Sequence, residues 1–212
     1  MIWGWDMDNQ EEFWTSTFGD LYPSRNQSGE LLAANKVFFQ RALARIQPAP
    51  RTFLELGSNV GMNYLAIKDI FPELSFTGVE INRQAFHELA KTGCNAVLGS
   101  VYDFENPEKF EVTFTKGVLI HINPERLNVV YDKLYQYSTD YILVAEYYNP
   151  VPVEVDYRGH AGKLFKRDFA GELLDRFPEL TLVDYGFSYH RDAYPQDDIS
   201  WFLLRKQKEI PN

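Results

Sequence analysis

Cysteine is almost missing from these 212 residues. Cys94 stands alone, which excludes intrachain disulfides and cysteine-based zinc sites and makes a reducing compartment the simpler setting. Positive charge is also in short supply: 21 Lys and Arg face 30 Asp and Glu, for a net charge of −9. Such a chain repels polyanions, so general nucleic-acid binding is not expected. No apolar run reaches membrane-spanning length, and the start Met1-Ile-Trp-Gly-Trp-Asp6 lacks the basic segment and apolar stretch of an export signal. A cytoplasmic protein without a membrane partner is the expectation. Internal repeats, low-complexity tracts and dividing linkers are absent too. What is abundant is apolar and aromatic side chain, at 45% and 16%, enough for a well-filled core. The expected organisation is one domain, with an N-terminal helical cap over residues 1–48 built onto a body over residues 49–212. Trp3, Trp5 and Trp14 near the start read as core packing or as a contact with a second copy.

The most informative segment is Phe53-Leu-Glu-Leu-Gly-Ser-Asn-Val-Gly61. A buried strand runs into a loop whose small residues, Gly57, Ser58 and Gly61, admit a ligand close to the backbone, and a helix follows. The next apolar run ends Gly78-Val-Glu-Ile81, placing Glu80 at the tip of the neighbouring strand, where a carboxylate accepts from both hydroxyls of a ribose. A dinucleotide loop reads G-x-G-x-x-G and aims a helix start at a pyrophosphate. Here the wording is Glu55-x-Gly57-x-Asn59-x-Gly61-x-Asn63. Asn59 and Asn63 are neutral hydrogen-bonding groups, and Glu55 sets a negative charge beneath the loop, which suits an ammonium or sulfonium better than a phosphate. The donor favoured is S-adenosylmethionine over NAD.

Patterning places helices over 10–18 and 28–46 and then an alternating series. Strands are expected at 52–56, 75–81, 95–99, 111–116 and 141–147, with helices at 60–70, 83–91, 124–137 and 167–176. This alternation implies an α/β fold with a mostly parallel sheet and right-handed crossovers. The last two strands, over 180–190 and 199–205, are joined too tightly for a helical crossover and therefore pair antiparallel. The expected fold is a class I methyltransferase (Rossmann-like) seven-stranded sheet in the order 3-2-1-4-5-7-6, its last strand antiparallel, with added N-terminal helices.

Five further segments extend the pattern: Phe114-Thr-Lys-Gly-Val-Leu-Ile-His-Ile-Asn-Pro-Glu125, Ala145-Glu-Tyr-Tyr-Asn-Pro150, Tyr157-Arg-Gly-His160, Lys163-Leu-Phe-Lys-Arg-Asp-Phe-Ala-Gly171 and Gln196-Asp-Asp-Ile-Ser-Trp-Phe202. Together they resemble the pseudaminic acid biosynthesis-associated methylases, a branch of S-adenosylmethionine-dependent methyltransferases, from about Phe18 to about Lys206. The resemblance implies that Glu55, Gly57, Ser58, Asn59, Gly61 and Asn63 surround the methionine part of the donor, with Glu80 on the ribose and Ile81 beside the adenine. Ser100 and Val101 then meet the adenine edge, Ser100 standing where an acid is common. Lys116 and Gly117 offer backbone carbonyls to the donor's amino group. Tyr22, Arg25 and Asn26 fold over the donor, Arg25 facing its carboxylate.

Methyl transfer needs in-line attack on the sulfonium carbon and no metal in principle. A hydroxyl or ammonium acceptor must lose a proton, for which His121 is the first candidate base and Glu146 the second. Residues 157–167 carry Arg158, His160, Lys163, Lys166 and Arg167 with no acid, beside Tyr147, Tyr148, Asn149 and Tyr157. That cationic lid suits an anionic acceptor: a sugar phosphate, a nucleotide sugar or a carboxylated nonulosonic acid. His190 and Arg191 in the final hairpin loop are expected to position the acceptor, a use preferred over a metal bound with Asp192, Asp197 and Asp198. The expected activity is methyl transfer to oxygen or nitrogen of such a molecule in surface-glycan biosynthesis, releasing S-adenosylhomocysteine. The alternatives are a noncatalytic module that binds the donor and an NAD-type oxidoreductase.

Overall fold

The computed structural model describes residues 8–21 and 28–207. The chain opens with α1 (Asn9–Thr15) and α2 (Thr17–Leu21), then α3 (Gly29–Ala42). The core series runs β1 (Thr52–Leu56), α4 (Met62–Ile70), β2 (Ser75–Glu80), α5 (Arg83–Lys91), β3 (Asn95–Leu98), β4 (Phe110–Lys116), α6 (Leu127–Tyr137) and β5 (Ser138–Glu146). A small hairpin of β6 (Val153–Tyr157) and β7 (His160–Lys166) precedes α7 (Phe169–Arg176), β8 (Leu180–Ser188) and β9 (Ile199–Lys206).

The main sheet has seven strands in the order β3-β2-β1-β4-β5-β9-β8. Strands β1 to β5 are parallel to one another, and β9 is antiparallel to both β5 and β8. With the separate β6–β7 hairpin left out of the numbering, this is the 3-2-1-4-5-7-6 order read from the sequence. It is the class I methyltransferase sheet.

Both sheet faces are covered, so the central strands are apolar on both sides instead of alternating with polar residues. Along β5, Ile142 and Val144 pack toward α6 and α7 with Leu54, Leu134 and Leu173. Leu143 and Ala145 face α3 and α4 with Phe39, Phe53, Ile67 and Phe114. The Phe114 ring meets Phe39 and Phe76 edge-on at centroid distances of 5.7 and 6.0 Å, an arrangement that suits the ring quadrupoles. Ile142 is fully buried; Ile142→Val removes one methylene and is expected to lower stability by about 1 kcal/mol in urea titration.

Three of the differences from the sequence reading have clear local reasons. The helix expected over 10–18 is split because Ser16 is extended (φ −84°, ψ −178°), its Oγ accepting from Phe18 N–H at 3.3 Å. A capping box formed by Asp8 and Glu11 fixes the start of the first piece. The helix expected over 124–137 begins as a tight 3-10 turn, Pro124–Arg126, before α6 proper. The β6–β7 hairpin was not expected at all. Its two-residue turn, Arg158-Gly159, has φ of 51° and 85°, the left-handed geometry that matches hairpin twist.

Sheet register carries the chemistry to one edge. Glu55 pairs with Gly78 and Leu56 with Val79, while Lys116 pairs with Ala145. The carboxyl ends of β1, β2, β4 and β5 therefore bring Glu55, Glu80, Lys116 and Glu146 to the same side of the sheet.

Candidate active site

Strand order reverses between β1 and β4, and open α/β sheets hold ligands in the crevice outside the strand ends at such a point. A cavity of about 340 Å³ lies there. Its floor is the loop after β1. Gly57 has φ 83°, and a Cβ built on it would fall 2.5 Å from Val118 Cγ2, so only glycine fits. The amides of Gly57 and Ser58 both donate to Val79 O at 2.9 Å, which tethers the loop to β2. Gly61, at φ 84°, stands at the start of α4 behind the cavity, where a Cβ would lie 2.9 Å from Leu89 Cδ1. Its role is close packing of α4 on α5.

Glu80 closes the loop from the side. Its Oε2 accepts from Asn59 N–H and its Oε1 from Asn82 N–H, each at 2.7 Å. Burial pushes its carboxyl upward against the pull of these amides. The group lines the cavity, and each oxygen keeps a lone pair beyond the one its amide uses.

Glu55 lies underneath, fully buried. Asn63 Nδ2 donates to its Oε1 at 2.6 Å, while Oε2 has no hydrogen-bond partner among the described residues. Burial lifts this carboxyl to about 7, the Asn63 bond opposing the rise. An orphaned acidic oxygen beneath a glycine loop fits a positively charged ligand group.

Lys116 lines the cavity opposite. Its Nζ donates to Asn35 Oδ1 at 3.3 Å. Asn35 in turn donates to Asn63 Oδ1 and accepts from Gln196 Nε2, at 3.1 and 3.0 Å. Burial depresses the Lys116 ammonium to about 8, and the charge of Glu55 opposes that fall. The side chain is thus part of a polar network shared by α3, α4, β4 and the β8–β9 loop.

His121 ends a 3-10 turn, Leu119–His121, held from below by Glu146. The Glu146 carboxylate accepts from the amides of Val118 and Leu119 at 3.0 Å and from Ile120 at 3.4 Å. Its burial outweighs those bonds and raises the group to about 7. Glu146 does not line the cavity; it positions the turn that bears His121. The His121 ring is buried at 7% exposure, with Nδ1 2.7 Å from Lys163 O. Burial drives the imidazole down to about 4.

Of the residues expected to hold a donor, Gly57, Ser58, Asn59, Asn63, Glu80, Ile81, Ser100, Val101, Lys116 and Gly117 line the cavity. Ser100 Oγ already accepts from Tyr102 N–H at 3.1 Å. Tyr22, Arg25 and Asn26 lie outside the described residues. The cationic lid is less concentrated than its sequence suggests. Tyr147, Tyr157 and Arg158 reach the cavity wall. His160 instead meets Phe13 and Phe18, Lys163 Nζ donates to Asn9 O at 2.6 Å, Lys166 lies over the Tyr147 ring, and Arg167 pairs with Glu172 at 2.7 Å. Tyr148 is exposed and Asn149 half-buried, and both sit away from the wall, as do His190, which pairs with Asp198, and Arg191. The same loop instead sends in Gln196 and Asp197, five and six residues beyond Arg191. Asp192 is engaged by Arg41.

Sequence reasoning missed Asn35, Gln10, Glu11 and Trp14, all on the cavity wall. For Asn35 a signal existed, an amide in the apolar stripe of α3. Trp14 belongs to the site, where packing within the core or between copies had been expected.

No protein-family model and no curated protein matches the chain. Solved structures do. Magnesium protoporphyrin IX methyltransferase (ChlM) from Synechocystis PCC 6803 with bound SAM superposes with a TM-score of 0.70 at 10% identity, over 96% of this chain and 100% of that one. The 1,6-didemethyltoxoflavin-N1-methyltransferase of Burkholderia thailandensis gives 0.68 at 14%, covering 93% and 87%. The plantazolicin methyltransferase BpumL in complex with SAH gives 0.65 at 14%, covering 94% of each chain. At such identities the likeness establishes the fold.

Proposed function

We propose that this chain transfers the methyl group of S-adenosylmethionine to an oxygen or nitrogen of an anionic sugar, nucleotide sugar or related small molecule, releasing S-adenosylhomocysteine. The observation that carries the reading is the pairing of Glu80 on the cavity wall with Glu55 beneath a glycine loop, both at the carboxyl edge of a class I methyltransferase sheet. When bound, the donor supplies an electrophilic methyl carbon. The remaining work falls to the chain. Glu80 accepts from the ribose hydroxyls, Ile81 and Val101 flank the base, and Ser100 offers its hydroxyl proton to a ring nitrogen. Glu55 stabilises the ammonium end of the methionine, and Lys116 meets its carboxylate.

On the acceptor side, Trp14, Tyr147 and Tyr157 supply apolar faces for a sugar ring, and Arg158 supplies the positive charge for its acidic group. A carbonyl can only accept, so the proton of His121 sits on Nδ1 and Nε2 keeps its lone pair for the acceptor's proton. The low imidazole pKa keeps this ring neutral at physiological pH. The resemblance to methylases of pseudaminic acid pathways points the acceptor toward surface-glycan precursors.

The test is a thermal shift with S-adenosylmethionine, S-adenosylhomocysteine and NAD, followed by incubation with methyl-labelled donor and a panel of sugar phosphates, nucleotide sugars and carboxylated nonulosonic acids. Stabilisation by the two adenosyl ligands and label on an acidic product is the expected outcome. A response to NAD alone, or label on a neutral acceptor only, overturns the reading.

A further inference from the structure

Three segments converge on one imidazole. The 3-10 turn supplies His121; Trp14 of α1 flanks the ring at 4.7 Å between centroids and 61° between planes; Tyr157 of β6 flanks it at 4.8 Å and 60°. The β6–β7 hairpin is a separate two-stranded sheet, anchored to the core through buried Leu164. It is also fastened to α1. Gln10 Nε2 donates to Gly162 O at 2.8 Å, and Lys163 Nζ donates to Asn9 O at 2.6 Å, with Phe13 against His160 at 5.1 Å. These contacts sit beside the carbonyl of Lys163 that faces His121.

We propose that the β6–β7 hairpin is a latched lid that sets the tautomer of His121, with Gln10 and Lys163 as its positioning residues. The deduction is stereochemical. Lys163 O at 2.7 Å from Nδ1 requires the proton there, so closure leaves Nε2 as the accepting atom. Lifting the hairpin removes that carbonyl and the Tyr157 face together. A free imidazole prefers its proton on Nε2, where it can donate but not accept. Closure over a bound acceptor and readiness to take its proton are then a single event. The charged groups on the surrounding elements include Glu11 and Glu12 of α1, Glu154, Asp156, Arg158, Lys163 and Lys166 of the hairpin, and Glu146 beneath the turn. The inference rests on His121 being the proton acceptor in the proposed transfer.

Nitrogen-15 NMR of the histidine rings tests it on the full chain, which has only 4 histidines. Near neutral pH, His121 is expected in the Nδ1–H form. In Gln10→Leu/Lys163→Met it shifts toward the Nε2–H form, while amide exchange over residues 153–166 speeds up about tenfold or more and His87 is unchanged. Lys163→Arg in place of Lys163→Met, with Gln10 kept, retains the wild-type pattern. An Nε2–H ring in the wild type overturns the inference whether or not the double variant folds. So does a ring that keeps its tautomer while the hairpin amides exchange freely, or exchange that the double substitution leaves unaltered. S-adenosylhomocysteine melting shifts on the same samples separate the two readings, since their absence removes the donor assignment and leaves the tautomer result standing.

Discussion

Glu80→Ala is expected to weaken S-adenosylhomocysteine binding by about 100-fold or more in titration calorimetry. Hydrogen bonds to a charged group contribute roughly 1.5–3 kcal/mol each, and loss of the pair made to two ribose hydroxyls gives about 3 kcal/mol or more, where 1.4 kcal/mol is tenfold. A second loss adds to the first. The carboxylate also receives the amides of Asn59 and Asn82 at 2.7 Å, so its removal frees the loop that floors the cavity. Glu80→Gln retains one accepting oxygen and is expected to fall between wild type and alanine. A ligand lacking the 2′-hydroxyl isolates the sugar contact: wild type discriminates against it, and Glu80→Ala does not. Equal affinity of wild type and Glu80→Ala for S-adenosylhomocysteine would remove the ribose assignment.

That the donor side was readable from sequence and the acceptor side much less so follows from where each is encoded. Glu55, Gly57, Asn59 and Glu80 sit at the ends of adjacent parallel strands, and parallel pairing alone brings them together. Gly57 must be glycine because Val118 occupies the place of its Cβ, and such a constraint leaves a mark on the chain. Asn35 and Gln196 meet only because α3 and the β8–β9 loop pack on the same cavity, and no spacing announces that. The basic residues of 157–167 show the limit of reading charge without topology. Once the segment folds as a hairpin, side chains alternate between faces, and Arg158 at the turn reaches the wall while Lys163 and Arg167 serve α1 and α7. The hairpin did leave a trace. Val153, Val155 and Tyr157 alternate with Glu154 and Asp156, a period of two, but Arg158-Gly159 is not one of the Asn-Gly or Asp-Gly turns that usually accompany it.

The largest effect on stability is expected at Glu146, and its pH dependence has a definite sign. Glu146→Ala leaves the amides of Val118, Leu119 and Ile120 without the acceptor they now have, and unsatisfied buried donors at roughly 1–3 kcal/mol apiece put the loss at about 4 kcal/mol in chemical denaturation. Glu146→Gln keeps one accepting oxygen and the volume, and so permits comparison across pH. The folded carboxyl titrates at about 7 against an ordinary 4.5, so between those values the native state holds more protons than the unfolded one. Stability from this group therefore falls as pH rises from about 4.5 to 7, by up to roughly 3 kcal/mol. Glu55 acts in the same sense over the same window. His121, depressed to about 4 from 6.5, acts oppositely, adding stability as pH rises from about 4 to 6.5. Subtracting the Glu146→Gln curve from wild type cancels the contributions of Glu55 and His121. The wild-type advantage that remains is expected to shrink between pH 4.5 and 7. An advantage that stays flat over that interval, having grown below it, would show three backbone amides outweighing burial, with the carboxylate ionised well below neutrality beneath the turn that carries His121.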